Sequence, residues 1–132
     1  MKRDFSCPTC DGILNPNVKI ILRAERAGRS ALVLFSPKPG NYDVIVSESF
    51  QLKQNDEVRF CCPLCGCDLT SKRDPSMAEI RFGSPNGHRG TAVFSRVVGH
   101  HETYFVTREE VRSYGEHAAP AGLNFWGVGP KD

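Results

Sequence analysis

The sequence lacks the features of membrane proteins, secreted proteins and strongly basic nucleic-acid binders. No run approaches the roughly 18 apolar residues that a spanning helix needs, and residues 1–7 carry no apolar core of an export signal. These absences predict a cytoplasmic protein with no membrane partner. Seventeen basic and fifteen acidic side chains give a formal charge of +2, which is not the balance of a dedicated nucleic-acid binder.

The sequence also lacks the short motifs of the common catalytic sites. It contains no G-x-S-x-G, H-E-x-x-H or phosphate-loop pattern. His101-Glu102 lacks the spacing of a deaminase-type zinc site. On a strand, His100 and His101 point to opposite faces and cannot easily share one ion. We therefore expect a protein that is not an enzyme.

Length and composition predict one folded domain. The chain has 132 residues, of which 39% are hydrophobic and 24% charged, and this is ordinary globular usage. Regular patterns end near residue 117, and a Pro- and Gly-containing segment follows. We therefore expect a single domain over residues 1–117 and a C-terminal tail over 118–132.

Most of the chain has the pattern of apolar and polar residues that is typical of short β-strands. Apolar runs over 18–22 and 31–35 flank the Ala-Gly pair at 27–28, which predicts a tight hairpin. Alternating residues over 77–82 and 91–98 predict a second hairpin. Thr107-Arg108-Glu109-Glu110 has the form of a capping box, with Val111 and Tyr114 three apart. One short helix is therefore expected over residues 107–117.

Two copies of a C-P-x-C motif stand in the sequence, at Cys7-Pro8-Thr9-Cys10 and Cys62-Pro63-Leu64-Cys65. Two residues between thiolates let one turn aim both sulfurs at a single ion, and two such turns complete a tetrahedral set. Without an export signal, metal binding is favoured over disulfides. The spacing predicts one structural zinc ion held by Cys7, Cys10, Cys62 and Cys65, with iron as the alternative.

The double motif resembles the zinc-ribbon and rubredoxin-like class of proteins, over residues 7–12 and 62–66. The resemblance implies a local fold and a metal, and it implies no particular activity. Fifty-one residues separate the two motifs, from Asp11 to Cys61. We therefore expect a mainly β fold: a zinc ribbon with a large inserted antiparallel sheet, a following β-hairpin and one short C-terminal helix.

Two cysteines remain outside the predicted ligand set. Cys61 precedes Cys62 at the end of a strand, so its side chain points to the opposite face. Cys67 follows Cys65 by two residues, too close for a second C-x-x-C turn, and a small packed thiol is the plain interpretation. The alternative makes Cys61 and Cys67 a thiol-redox sensing pair.

Two further groups of residues are candidates for a partner surface. Arg81, Arg89 and Arg96 would share a face if the 77–82 and 91–98 strands pair, and cations beside aromatic rings suit RNA. Phe125 and Trp126 lie in the tail, where large aromatic side chains favour docking. The function predicted is a non-catalytic, zinc-stabilised binding or regulatory module with a protein partner. The alternatives are an RNA- or ribosome-associated zinc-ribbon protein and a thiol-redox sensor that uses Cys61 and Cys67.

Overall fold

The computed structural model of the chain describes residues 4–38, 41–47, 50, 52–83, 87, 89–108 and 111–116, and this part is mainly β. Within these residues, nine strands form two antiparallel sheets. The strands are β1 (Asp4–Ser6), β2 (Ile20–Arg26), β3 (Arg29–Phe35), β4 (Val44–Val46), β5 (Arg59–Cys61), β6 (Met77–Gly83), β7 (Arg89–Ser95), β8 (Thr103–Val106) and β9 (Val111–Tyr114).

The four-stranded sheet lies entirely between the two C-P-x-C motifs, as the expected insertion. Its strand order is β4-β3-β2-β5, with all neighbours antiparallel. The predicted β2–β3 hairpin is confirmed. Its two turn residues, Ala27 and Gly28, have φ of 54° and 79°, as the twist-matching two-residue turn requires.

The five-stranded sheet has the order β1-β6-β7-β8-β9. The predicted β6–β7 hairpin is confirmed, but it is the centre of a larger sheet rather than a separate unit. β1 pairs with β6 and places Phe5 opposite Phe82, although the two residues are far apart in the sequence. Strand β1 therefore belongs to this sheet, strands β2 to β5 form the other sheet, and strands β6 to β9 complete the first.

The helix expected over residues 107–117 is wrong. Residues 111–114 form strand β9, which pairs antiparallel with β8 through Val106 and Val111. Val111 is only 4% exposed and packs with Val93 and Tyr104. A capping box contributes only local hydrogen bonds, and here sheet pairing and burial outweigh it. The part of the chain that the structure describes contains no helix.

The hydrophobic core lies between the inward faces of the two sheets. Leu22 and Val33 from the four-stranded sheet face Ile80 and Ala92 from the five-stranded sheet, and all four are buried. No described segment forms a helix long and apolar enough to cross a membrane. The predicted tail, 118–132, lies outside the described residues, so the domain boundary stays a prediction.

Candidate metal centre

Each C-P-x-C motif lies in a hairpin, and the two hairpins share one backbone geometry. In the first, the Leu14 N–H donates to the Phe5 carbonyl at 2.7 Å, and in the second the Leu69 N–H donates to the Phe60 carbonyl at 2.9 Å. The bridge between Ser6 and Ile13 has its counterpart between Cys61 and Asp68. The repeat thus covers residues 5–14 and 60–69, more than the cysteine motif alone.

The turns at the tips of the two hairpins also match. The N–H of Asp11 donates to the Cys7 carbonyl, and the N–H of Gly66 donates to the Cys62 carbonyl, both at 2.9 Å. Asp11 has φ of 61° and Gly66 has φ of 80°. Aspartate tolerates this left-handed conformation better than most residues, so the first turn keeps its shape without the glycine.

The four cysteines that the sequence predicts as ligands lie together. All of their sulfurs are within 4.8 Å of one another, with Cys7 and Cys62 buried and Cys10 and Cys65 exposed. Cys7 Sγ is 3.7 Å from Cys65 Sγ, and Cys10 Sγ is 3.8 Å from Cys62 Sγ. A tetrahedron with metal–sulfur bonds of about 2.3 Å has edges of about 3.8 Å. The sulfur positions therefore fit one tetrahedral metal ion and are compatible with a zinc-ribbon-like site.

Backbone N–H groups surround the sulfurs in the same pattern in both hairpins. Cys7 Sγ accepts from Thr9 at 3.3 Å and from Cys10 at 3.4 Å. Cys62 Sγ accepts from Leu64 at 3.3 Å and from Cys65 at 3.4 Å. Such hydrogen bonds orient the ligand atoms and stabilise negative charge on sulfur.

The thiol pKa values show the effect of crowding these sulfurs together. Burial raises the pKa of Cys7, but hydrogen bonds from the N–H groups of Cys10 and Thr9 outweigh it and lower this pKa to about 6. The Gly12 N–H lowers the pKa of Cys10, but burial and the neighbouring sulfurs outweigh it and raise the pKa to about 12. Negative charge on one sulfur disfavours ionisation of the neighbouring thiols. A bound cation would therefore stabilise all four thiolates.

The cluster joins the edges of the two sheets. β1 is an edge strand of the five-stranded sheet and runs into Cys7, whereas β5 is an edge strand of the four-stranded sheet and runs into Cys62. One ion bound to both hairpins would therefore fasten the sheets to each other along this side.

Cys67 contacts the cluster, which sequence analysis did not anticipate. Its Sγ is 3.4 Å from Cys7 Sγ, and its N–H donates to Cys65 Sγ. It occupies the position that Gly12 has in the first hairpin, and burial raises its pKa. Aligning Phe5 with Phe60 and Leu14 with Leu69 in the sequence would have revealed this equivalence.

Cys61 is placed where the sequence predicts. It pairs with Arg23 on β2, on the face of its sheet opposite to Phe60, and is 4% exposed. Burial raises its pKa. It lies outside the four-sulfur cluster, and the Cys61–Cys67 thiol pair stays a prediction.

The three predicted arginines do not form one surface. Arg81 and Arg89 share the outer face of the β6–β7 hairpin, where their pairing partners are Thr91 and Gly83. Arg96 lies beyond β7 and is engaged elsewhere, because its Nε donates to the Val58 carbonyl at 2.9 Å and its side chain is 12% exposed. The expectation that Arg96 joins this face is therefore wrong. Phe125 and Trp126 lie outside the described residues.

Comparison of the chain with protein-family models, with curated proteins and with solved structures gave no significant match. Inference about function therefore rests on the sulfur cluster and the fold.

Proposed function

We propose that the protein is a non-catalytic binding module whose two sheets are held together by a structural zinc ion at Cys7, Cys10, Cys62 and Cys65. The observation that carries this proposal is the tetrahedral spacing of four sulfurs contributed by two equivalent hairpins. Four protein ligands leave no open coordination position for a substrate or a reacting water, which is typical of structural rather than catalytic zinc.

We expect the purified 132-residue chain to contain one zinc ion per molecule. Zinc is favoured over iron because it requires no redox partner and accepts a closed tetrahedral thiolate site. Elemental analysis after gel filtration measures zinc and iron in the same sample. Iron as the main metal, no metal at all, or two zinc ions per chain would each overturn the proposed site.

The position of Cys67 favours a second candidate function, the sensing of peroxide. Cys67 Sγ is 3.4 Å from Cys7 Sγ, so the two sulfurs need little movement to form a disulfide. In the balanced reaction, the Cys7 thiolate and the Cys67 thiol lose two electrons and form the disulfide, and hydrogen peroxide takes these electrons, the Cys67 proton and one proton from solvent to become two molecules of water. Cys7 would then no longer be a thiolate ligand. This pair differs from the Cys61–Cys67 pair that the sequence offered as an alternative.

Cys67→Ser tests the peroxide candidate. We expect wild-type protein to release zinc under dilute peroxide and to recover binding after treatment with a thiol reductant, because a disulfide is reversible. The variant should hold one zinc ion but release it more slowly, without forming a reducible disulfide. Cys61→Ser is the matched control. Equal release rates and equal recovery in wild-type protein and Cys67→Ser would count against this function.

A further inference from the structure

A cavity of about 290 Å³ lies between the inward faces of the two sheets. Aliphatic and aromatic side chains from both sheets form its walls, among them Phe5, Ile20, Leu22, Val33, Phe60 and Phe105. Empty apolar space lowers stability in proportion to its volume, and an apolar cavity of about 150 Å³ already binds benzene. The cavity can therefore hold an apolar group larger than one aromatic ring.

The polar residues that line the cavity come from two segments, 36–42 and 95–103. Tyr42 fixes these segments against each other: its hydroxyl donates to the Tyr114 carbonyl at 3.0 Å and is 2.9 Å from Thr103 Oγ1. Its ring also stacks on His101, with centroids 4.4 Å apart. These contacts build a defined polar rim beside an apolar interior, which is the arrangement of many small-molecule sites.

Charge at this rim favours a ligand with one anionic end. Arg96 forms an ion pair with Glu57 at 3.6 Å, and His100 Nε2 is 3.0 Å from Glu102 Oε1. Lys38 also lines the cavity, is exposed, and forms no ion pair with any residue that the structure describes. A carboxylate at the rim would therefore complement the charge of Lys38.

We propose that the cavity binds a medium-chain aliphatic carboxylate, with the chain between the sheets and the carboxylate beside Lys38. This inference deepens the proposed binding function by naming a ligand class. It also rests on that function, because the metal centre fastens the two sheets that form the cavity. Zinc content is therefore measured on every sample, so that a defect of the metal centre is told apart from a failure to bind ligand.

The first test is a series of carboxylates from hexanoate to dodecanoate, titrated calorimetrically into the zinc-loaded 132-residue chain. Each methylene that enters the cavity should tighten binding about fourfold, and the gain should stop once the cavity is full. The methyl ester of the tightest ligand should bind up to about fivefold more weakly, because it lacks the charge that Lys38 complements. Absence of binding throughout the series, or affinity independent of chain length, overturns the proposal.

Two pairs of variants locate the ligand. Val46→Trp should fill part of the cavity and weaken binding about tenfold or more, whereas Leu32→Trp, on the outer face of the neighbouring strand, should not change it. Lys38→Gln should weaken carboxylate binding and leave ester binding unchanged, with Lys53→Gln as the control. Binding that survives Val46→Trp in folded, zinc-loaded protein overturns the proposal. If Val46→Trp does not fold, the Lys38 pair and the chain-length series decide.

Discussion

Cys62→Ser is expected to remove the metal and to unfold the chain. Cys62 is fully buried, accepts two backbone hydrogen bonds at its sulfur, and lies at the junction of β5 with the second hairpin. Serine does not ionise near neutral pH, so it cannot replace the thiolate. Structural zinc contributes about 10–16 kcal/mol in small zinc domains, as much as the whole stability of a typical domain. Zinc content should fall from one per chain to near zero, and the thermal transition seen by circular dichroism should disappear.

Cys61→Ser provides the matched control for this result, because Cys61 is adjacent, also buried and outside the cluster. The control variant should retain one zinc ion and a cooperative transition, although a buried hydroxyl lowers its melting temperature. Retention of zinc by a folded Cys62→Ser protein, or loss of zinc from Cys61→Ser, would show that the ligand set is wrong.

Phe82→Ala is expected to lower the free energy of unfolding by about 3–5 kcal/mol. Phe82 is 6% exposed, pairs with Phe5 across the edge of the sheet, and packs on Phe105 with ring centroids 4.9 Å apart. On the other side it lies opposite Gly90, where an added Cβ would approach the Phe82 ring to 3.0 Å. The residue therefore links β1 to the rest of the sheet. Urea denaturation of the zinc-loaded protein measures the change.

Leu32→Ala is the control for Phe82→Ala, since Leu32 is 55% exposed and should change stability by less than about 0.5 kcal/mol. Equal effects of the two substitutions would mean that the Phe82 ring is not part of the core. Loss of zinc in Phe82→Ala would instead reveal that β1 pairing is required for the first hairpin to bind metal.

The two cysteine turns of the candidate metal centre could be predicted from the sequence because the geometry of each turn is local. Two residues between Cys7 and Cys10 force a tight turn, and the same spacing recurs at Cys62. The tight β2–β3 hairpin was predictable for the same reason. In both cases, the residues that determine the structure are close neighbours in the chain.

The features that could not be predicted from the sequence have a common physical cause, which is contact between segments that are distant in the chain. The sequence over 107–117 has a helical signal, yet residues 111–114 form a strand because they pair with β8. Arg96 was assigned to a surface from strand alternation alone, but the chain leaves β7 at Ser95 and the side chain turns to Val58. The cavity is similarly invisible in the sequence, because its walls come from both sheets.

The long connection between β1 and β6 has a consequence for the order of assembly during synthesis. All four strands of the inserted sheet, and the four clustered sulfurs, have left the ribosome once residue 65 has emerged. β6 ends at Gly83, and at about 5–20 residues per second its pairing with β1 becomes available at least about a second later. Metal capture can thus precede completion of the five-stranded sheet. The bound ion would then hold β1 close to the nascent chain, so that β6 could pair with β1 as soon as it is synthesised.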